Sequence, residues 1–385
     1  MDFTLTDDQR MLQQMVRDFA QKEIAPVAAQ LDERSEFPSD NIRKMAELGL
    51  MGMMIPPEMG GSGLDMLTYV LALEELAVAC ASTAVTMSVN NSLFCGPIKR
   101  FGTPAQQQQY LPPFARGEKL GAYCLSEPGT GSDAANQQTT AVQQGDRYLL
   151  NGVKNFITNG PHAQAFIVFA MTDKAARHKG ITAFIVDRDA PGCKIGKIEK
   201  KLGIRASSTS EVVLDQCAVP AANRLGQEGQ GFAIAMNTLD YGRIGIAAQA
   251  LGIGRAAFEF ARRYAGERQA FGQAISQFQA IQWKLADMAM KLEAARLLLH
   301  QAAWMADQQQ PFSKQAAIAK LFASEAANWI AKEAVQVLGG YGYVCEFPVE
   351  RFYRDAKITE IYEGTSEIQR LVIARAVLRE LEAGN

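Results

Sequence analysis

The sequence is poor in histidine, the residue on which many metal centres and hydrolytic triads depend. Its 385 residues include three histidines, His162, His178 and His300, which stand far apart in the chain. None has a cysteine or carboxylate cluster beside it at the spacing of metal ligands. Although folding can bring distant residues together, we expect neither a zinc site nor a Ser-His-Asp triad, and we predict no bound metal.

Cysteine is also sparse, and the six cysteines form no C-x-x-C pair. Scattered cysteines of this kind are typical of reduced, buried thiols in a reducing compartment. The first ten residues are acidic and lack the apolar core of a signal peptide. We therefore expect a cytoplasmic protein; an organellar location would require a leader peptide that had been removed.

Neither sign of charge is in excess, since 39 Lys and Arg stand against 41 Asp and Glu. This balance gives no overall attraction to nucleic acid or to an anionic membrane. The most apolar stretch, residues 67–89, contains Glu74 and Glu75 and is too polar for a membrane-spanning helix. We expect no nucleic-acid partner and no membrane span.

Secondary-structure signals change twice along the chain. The first third is helical, with capping residues at Thr6 and Thr103. In the middle, runs of β-branched and aromatic residues, residues 165–171 among them, predict strands, and Asn151-Gly152 predicts a hairpin turn between two of them. In the last part, apolar residues recur at helical spacing over segments of more than about 20 residues.

These blocks predict three domains, at residues 1–121, 122–230 and 231–385. The fold class is α+β and mainly α, with an N-terminal helical domain, a middle β-barrel or sandwich and a C-terminal four-helix bundle. One motif would favour a different fold, the dinucleotide-binding Rossmann fold, since residues 252–257 match its fingerprint G-x-G-x-x-A. That fingerprint needs a preceding strand, whereas this stretch lies within a helical run, so close helix packing explains its small residues better.

Two segments of the middle block have the chemistry of a cofactor site. Residues 123–133 combine glycines with hydroxyls, and their free backbone N–H groups can cradle phosphates or the polar edge of a ring. An ordinary hairpin loop would look similar. In residues 155–160, Phe156 beside Thr158 suits a planar cofactor, with stacking on one side and a hydrogen bond to the ring. Taken alone, Phe156 would as readily be a core residue.

Three segments of the last block also have two interpretations. Arg268 lies between two helices, where it can clamp a pyrophosphate or complement a helix dipole. Residues 336–343 break a helix with glycines, either for a close approach of a ligand or as a helix cap. Glu363 precedes the final helix among apolar residues, as a general base for C–H abstraction or as a dipole-complementing charge.

The types, order and spacing of these motifs resemble the acyl-CoA dehydrogenase family, in particular its short-chain (butyryl-CoA) branch. The resemblance extends from Phe3 to Leu378. Its specific stretches are residues 125–133, 202–208, 239–247 and, most specific, 361–366. The fold that the resemblance implies is the same α, β, α arrangement.

The resemblance implies non-covalent FAD, held between the β domain and the C-terminal bundle, with Thr158 near flavin N5. Most relatives carry tryptophan where Phe156 stands. The FAD contacts within one subunit would be Tyr123, Cys124, Leu125, Ser126, Gly131, Ser132, Phe156, Ile157, Thr158, Thr365, Ser366 and Glu367. Contacts to the FAD of a neighbouring subunit would be Arg268, Phe271, Gln279, Gln336, Val337, Leu338, Gly339 and Gly340.

The resemblance also implies the reaction, α,β-dehydrogenation of a short-chain acyl-CoA to the trans-2-enoyl-CoA. Glu363 matches the catalytic base, because the alternative position of the base in other branches corresponds to Gly242. Electrons would pass to electron-transfer flavoprotein, and the implied assembly is a homotetramer, a dimer of dimers. Substrate contacts would be Ser132, Asp240, Tyr241, Gly242, Arg243 and Gly364.

The sequence leaves two alternatives open. The first is an enzyme of the same fold that acts on a branched or functionalised short acyl-CoA, by decarboxylation or desulfination. A decarboxylating relative needs a cationic side chain for the distal carboxylate, and residues 86–94 contain neither Arg nor Lys. The second is a non-catalytic assembly protein that binds acyl-CoA or FAD, but such a protein would lose the base or the FAD motifs. The pathway, whether fatty-acid β-oxidation or the degradation of branched amino acids or aromatic acids, stays open.

Overall fold

The computed structural model describes residues 4–383 and begins with a helical block. Its α-helices are α1 (Asp7–Phe19), α2 (Ala25–Arg34), α3 (Ser39–Glu47), α4 (Met66–Ala79), α5 (Ala81–Ser88), α6 (Gly96–Phe101) and α7 (Pro104–Ala115). Both expected capping residues act as predicted: Thr6 and Thr103 each form a capping box with the glutamine three residues later. The segments Ala20–Ile24 and Val89–Cys95 are π-helical.

The middle block is a β-sandwich. Its strands are β1 (Gly121–Cys124), β2 (Thr140–Gln144), β3 (Arg147–Thr158), β4 (Ala165–Met171), β5 (Ile181–Asp187), β6 (Cys193–Ile198), β7 (Thr209–Pro220) and β8 (Arg224–Leu225). One half pairs β1, β4, β5 and β8, the other pairs β2, β3, β7 and β6, and the halves join where Thr140 pairs with Met171.

Strand β4 is buried along its whole length because both of its faces are covered. Phe166 and Val168 pack in the interior of the sandwich, and the alternating Ile167 and Phe169 pack in the core shared with the helices. This explains why the run 165–171 is continuously apolar rather than alternating. The same placement brings the sandwich against the helices on either side of it in sequence.

The prediction of a hairpin turn at Asn151-Gly152 is wrong. Strand β3 runs straight through both residues, and its register against β7 shifts between Leu150 and Gly152, which marks a β-bulge. A Cβ at Gly152 would overlap with the Thr139 side chain, so the bulge needs glycine. The turn lies instead at Gly145-Asp146, between β2 and β3. Asn-Gly suits a bulge as well as a turn.

The last block is helical again. It contains α8 (Gly231–Glu267), a short hairpin of β9 (Gln269–Ala270) and β10 (Gln273–Ala274), α9 (Gln279–Asp307), α10 (Ser313–Leu338), α11 (Val349–Ala356) and α12 (Ser366–Ala383). Helix α10 packs against α8, α9 and α12, which confirms the helical bundle. Short 3-10 segments lie at Leu50–Gly52, Pro57–Met59, Arg177–Gly180, Ala221–Asn223, Ile275–Gln277, Gly339–Tyr343 and Lys357–Glu360.

The first and last blocks pack together through α4 and α8. A Cβ at Gly252 would lie 2.6 Å from the Glu74 carbonyl oxygen, so this glycine serves close helix packing, as predicted, and no strand precedes it. Glu74 and Glu75 are buried and bind the guanidinium groups of Arg17, Arg255 and Arg296 from α1, α8 and α9. Within residues 4–383, none of the helices is both long enough and apolar enough to span a membrane.

Candidate active site

Glu363 lies in the turn before α12, in a backbone conformation that is held from two sides. Glu363 and Gly364 have φ angles of 53° and 97°, the left-handed region that costs a non-glycine residue about 1 kcal/mol or more. The Gly364 carbonyl accepts hydrogen bonds from Lys320 Nζ at 2.7 Å and from Gln369 Nε2 at 2.8 Å. Gln369 Nε2 also donates to the Glu363 carbonyl at 3.2 Å. These contacts offset the strain of the turn.

The Glu363 carboxyl faces a cavity of about 470 Å³ and forms no salt bridge within residues 4–383. Its Oε2 atom is buried and has no hydrogen-bond donor among the residues that the structure describes. Burial raises the pKa of Glu363 to about 7, although the charges of Lys320 and Arg243 act in the opposite direction. A carboxyl group with such a pKa can accept a proton at neutral pH and is a stronger base than an exposed glutamate.

Gly242 on α8 makes room for this carboxyl group. A Cβ at position 242 would overlap with Oε2 of Glu363 and would lie 3.0 Å from Leu93. Aromatic side chains surround the same space: Tyr362 donates to Gln249, and Tyr69 donates to Ser88 at 2.8 Å. The carboxylate therefore lies among apolar and neutral groups, with two cations, Lys320 and Arg243, close enough to affect its pKa.

The cavity has an apolar wall and a polar wall. The apolar wall includes Val85, Val89 and Leu93, which recur every four residues along α5 and the π-helical segment after it. Val89 and Leu93 lie within residues 86–94, the stretch without a cation for a distal carboxylate, but none of the three was predicted as a site residue, although their spacing indicates a common face. The polar wall comes from the loop after β1 and from the end of β3, and includes Ser126, Gly131, Ser132 and Thr158, together with the aromatic ring of Phe156.

A buried ion pair fixes the loop of the polar wall. Lys154 Nζ donates to Glu127 at 2.8 Å and to the Gln137 side chain at 3.0 Å. The two oxygens of Glu127 accept the backbone N–H groups of Gln138 and Thr139 at 2.7 and 3.0 Å. The loop between these anchors is therefore held at both ends, and it forms one edge of the cavity.

Comparison with known proteins identifies the family of this chain. Three family profiles match, described as the N-terminal, middle and C-terminal domains of acyl-CoA dehydrogenase, at residues 6–118, 122–217 and 229–378. The chain belongs to the acyl-CoA dehydrogenase family. It is 56% identical to the mitochondrial short-chain specific acyl-CoA dehydrogenase of Mus musculus, over 97% of this chain and 91% of that protein.

Two solved structures share this fold closely. The butyryl-CoA dehydrogenase of Megasphaera elsdenii superposes with a TM-score of 0.97 at 49% identity, covering 98% of this chain and all of that one. A chain from a structure described as the electron transferring flavoprotein of Acidaminococcus fermentans has the same TM-score of 0.97 at 51% identity, covering 98% of this chain and 100% of that chain. The acyl-CoA dehydrogenase fold expected from the sequence is thereby confirmed.

The predicted flavin contacts near Glu363 differ in the exposure and the contacts of their side chains. Phe156 is 63% exposed, so the alternative that it is a core residue is wrong. Cys124 and Ile157 turn their side chains into the sandwich, so they can offer only backbone atoms to a ligand. Thr365 caps α12 by accepting the Ile368 N–H at 3.4 Å. Ser366 is buried and Glu367 exposed.

The residues predicted to reach a neighbouring subunit's cofactor form a separate group. Arg268 and residues 336–340 line a second cavity of about 760 Å³, which contains none of the residues of the Glu363 cavity. The Arg268 guanidinium lies 5.5 Å from the centre of the Tyr341 ring. Phe271, at the tip of the β9–β10 hairpin, is 95% exposed, and Gln279 begins α9. Within residues 4–383, the two cavities are therefore separate.

The predicted substrate contacts on α8 also divide. Arg243 is buried, faces the Glu363 cavity and pairs with Asp240 at 2.6 Å. Asp240 accepts a second hydrogen bond from Ser313. Tyr241 turns away, with the Arg100 guanidinium 4.1 Å from its ring centre. Ser132 and Gly364 line the cavity directly.

Proposed function

We propose that this chain is an FAD-dependent dehydrogenase that converts a short-chain acyl-CoA to the trans-2-enoyl-CoA. The observation that carries the proposal is the Glu363 carboxyl, with its raised pKa, at an apolar cavity where Gly242 offers no competing carboxylate. Family membership and the short-chain and butyryl-CoA names of the relatives support the same reaction.

The residues of the polar wall fit FAD. A side chain at Gly131, which lines the cavity, would meet no protein atom within 4 Å, so the loop leaves open space there. Thr130 Oγ1 and Ser366 Oγ are buried without hydrogen-bond partners among the described residues. We expect the segments 123–132 and 156–158 and the residues Thr365 to Glu367 to hold the cofactor. When bound, FAD supplies the acceptor for the hydride that leaves the β-carbon.

The chain itself supplies the base and the electrostatic environment. The Glu363 carboxylate takes the α-proton of the thioester, and its apolar surroundings exclude water. The Glu363 backbone N–H donates to no acceptor among the described residues and is available for the thioester oxygen, where negative charge develops. Lys320 and Arg243 keep Glu363 able to ionise before the substrate reacts.

The apolar wall favours an unsubstituted acyl chain. Val85, Val89 and Leu93 offer neither a cation nor a hydrogen-bond donor to a distal carboxylate. A decarboxylating enzyme would leave the carboxylate of its substrate unpaired at this wall, at a cost of several kcal/mol. Simple dehydrogenation therefore fits this wall better than the decarboxylating alternative.

For the assembly we propose a dimer of dimers in which the second cavity receives the FAD of a neighbouring subunit. Arg268 supports this, because it has no carboxylate at salt-bridge distance within residues 4–383 and can pair with a pyrophosphate. We also propose that electron-transfer flavoprotein accepts the electrons. This agrees with the description of the structure from Acidaminococcus fermentans.

The test is anaerobic bleaching of the flavin by a panel of thioesters, namely butyryl-CoA, hexanoyl-CoA, octanoyl-CoA, isovaleryl-CoA and glutaryl-CoA. We expect butyryl-CoA to bleach fastest and to yield crotonyl-CoA. Faster bleaching by glutaryl-CoA with release of carbon dioxide would favour the decarboxylating alternative. Absence of bleaching by every thioester, in protein that holds FAD, would favour the assembly protein.

A further inference from the structure

Lys320 is a fully buried lysine that lacks a carboxylate partner at salt-bridge distance within residues 4–383. The other fully buried lysine, Lys154, pairs with Glu127 at 2.8 Å. Lys320 Nζ donates instead to the Gly364 carbonyl at 2.7 Å, directly after the catalytic glutamate. Burying an ammonium group without a compensating charge raises the free energy of the folded state. The placement of Lys320 on α10 therefore requires another negative charge nearby.

The charge that compensates Lys320 is that of Glu363. Burial lowers the pKa of Lys320 to about 8, and Glu363 is the first of the carboxylates that oppose this effect, ahead of Glu360 and Glu367. Arg243 also acts on both groups, but its guanidinium already pairs with Asp240 at 2.6 Å. Lys320 is thus the cation near Glu363 without a carboxylate of its own.

Asp133 and Arg375 line the same cavity as Glu363, and three tyrosines lie close enough for Glu363 to affect their pKa. They are Tyr69 on α4, Tyr123 on β1 and Tyr362 in the turn itself, and Glu363 contributes to raising the pKa of each. All three are therefore neutral at physiological pH. The balance of charge around the carboxylate is set by Lys320 and Arg243.

The carbonyl contact alone does not require a lysine. Gln369 Nε2 already donates to both carbonyls of the turn, and its neutral amide does so without burying a charge. A second neutral donor from α10 would complete the same anchoring. The feature that lysine adds is its positive charge, placed at the carbonyl of Gly364, the residue that follows the base.

We propose that Lys320 is a positioning residue with two tasks: it holds the Glu363–Gly364 turn through the Gly364 carbonyl, and its ammonium charge keeps Glu363 ionisable in a buried site. The proposal rests on the proposed function only in treating Glu363 as the base. Without the charge, Glu363 would remain protonated to higher pH, and the pH at which the base becomes active would rise.

The experiment compares Lys320→Met, Lys320→Gln and Lys320→Arg with the wild type. The matched control is Lys314→Met on the same helix, which removes an exposed ion pair with Glu380. The first readout is the pH titration of the Glu363 carboxyl band in infrared difference spectra, assigned by its loss in Glu363→Gln. The second is the acidic limb of the pH profile of flavin bleaching by butyryl-CoA.

We expect Lys320→Met and Lys320→Gln to move the Glu363 titration upward by about 1 pH unit or more, with the acidic limb following. Lys320→Arg should restore most of the wild-type value, and Lys314→Met should leave it unchanged. If Lys320→Met does not fold, the comparison of the Gln and Arg variants tests the same charge. An unmoved titration in the variants without charge would overturn the proposal.

The two proposals fail separately. An upward shift in the infrared titration, in protein that no acyl-CoA bleaches, would reject the dehydrogenase and retain the role of Lys320 in ionisation. Bleaching by butyryl-CoA with the same pH profile in all variants would retain the dehydrogenase and reject the role of Lys320.

Discussion

The Glu363 carboxylate occupies the space that a side chain at Gly242 would need. Gly242 lies in the middle of α8, and a Cβ there would overlap with Oε2 of Glu363. Helix α8 therefore presents bare backbone to the carboxylate. Lys320 and Gln369 anchor the backbone of the turn that carries Glu363, so a larger residue at position 242 would have to be accommodated by a shift of the Glu363 side chain.

Gly242→Ala should displace the carboxylate while leaving the fold intact. We expect the rate of flavin bleaching by butyryl-CoA to fall by about 100-fold, because displacing a catalytic group by about 1 Å has effects of this size. FAD content should not change. Gly266→Ala on the same helix is the control, because a Cβ there meets nothing within 4 Å. A rate within tenfold of the wild type would show that the carboxylate can adjust.

Glu363→Gln tests the base directly. The amide keeps the size and the backbone N–H of the residue but cannot accept the α-proton. We expect bleaching to fall by about 10²–10⁴-fold or more, with butyryl-CoA still binding and shifting the flavin spectrum. Glu363→Asp should retain part of the rate. If the Gln variant bleached within tenfold of the wild type, another residue would have to be the base.

The same variant should change the pH dependence of stability. The pKa of Glu363 rises from 4.5 to about 7 on folding, so between these values the folded chain holds a proton that the unfolded chain has lost. The wild type therefore loses stability as pH rises through this window, and Glu363→Gln does not. We expect the variant to unfold at a higher temperature than the wild type at pH 8, equivalent to up to about 3 kcal/mol, and at a similar temperature at pH 4. Equal unfolding temperatures at pH 8 would contradict the raised pKa.

Gly131→Val tests whether FAD fills the open side of the loop. A side chain at Gly131 meets no protein atom, so the stability of the apoprotein should stay unchanged. We expect FAD affinity to fall by about tenfold or more, or 1.4 kcal/mol, because the new side chain takes space in the cavity. Gly129→Val in the same loop, outside the cavity lining, is the control for stability. Titration of the apoprotein with FAD measures both variants.

Arg268→Ala tests the shared cofactor site. If Arg268 holds the FAD of a neighbouring subunit, loss of FAD and dissociation of the subunits should occur together in the variant. Absorbance measures the bound FAD, and sedimentation equilibrium measures the assembly. Arg262→Ala is the matched control, because this arginine on α8 also lies over an aromatic ring, that of Phe258, but outside the cavity. A monomer that keeps its full complement of FAD would rule out the shared site.

Local sequence patterns predicted the architecture well. The capping residues Thr6 and Thr103 and the continuous apolar run 165–171 each identified an element that the structure contains. These signals depend on contacts between residues a few positions apart, which the sequence shows directly. The misplaced turn at Asn151-Gly152 has the same origin, because the local pattern of a turn and that of a bulge coincide.

The sequence alone also placed the chain in its family and singled out Glu363, through the stretch 361–366. The environment of Glu363 was decided only by the tertiary structure. Its carboxyl group meets Gly242 from α8 and Lys320 from α10, residues that no local pattern connects to it. Burial and the distance between charges determine its pKa, and both exist only once the helices have packed.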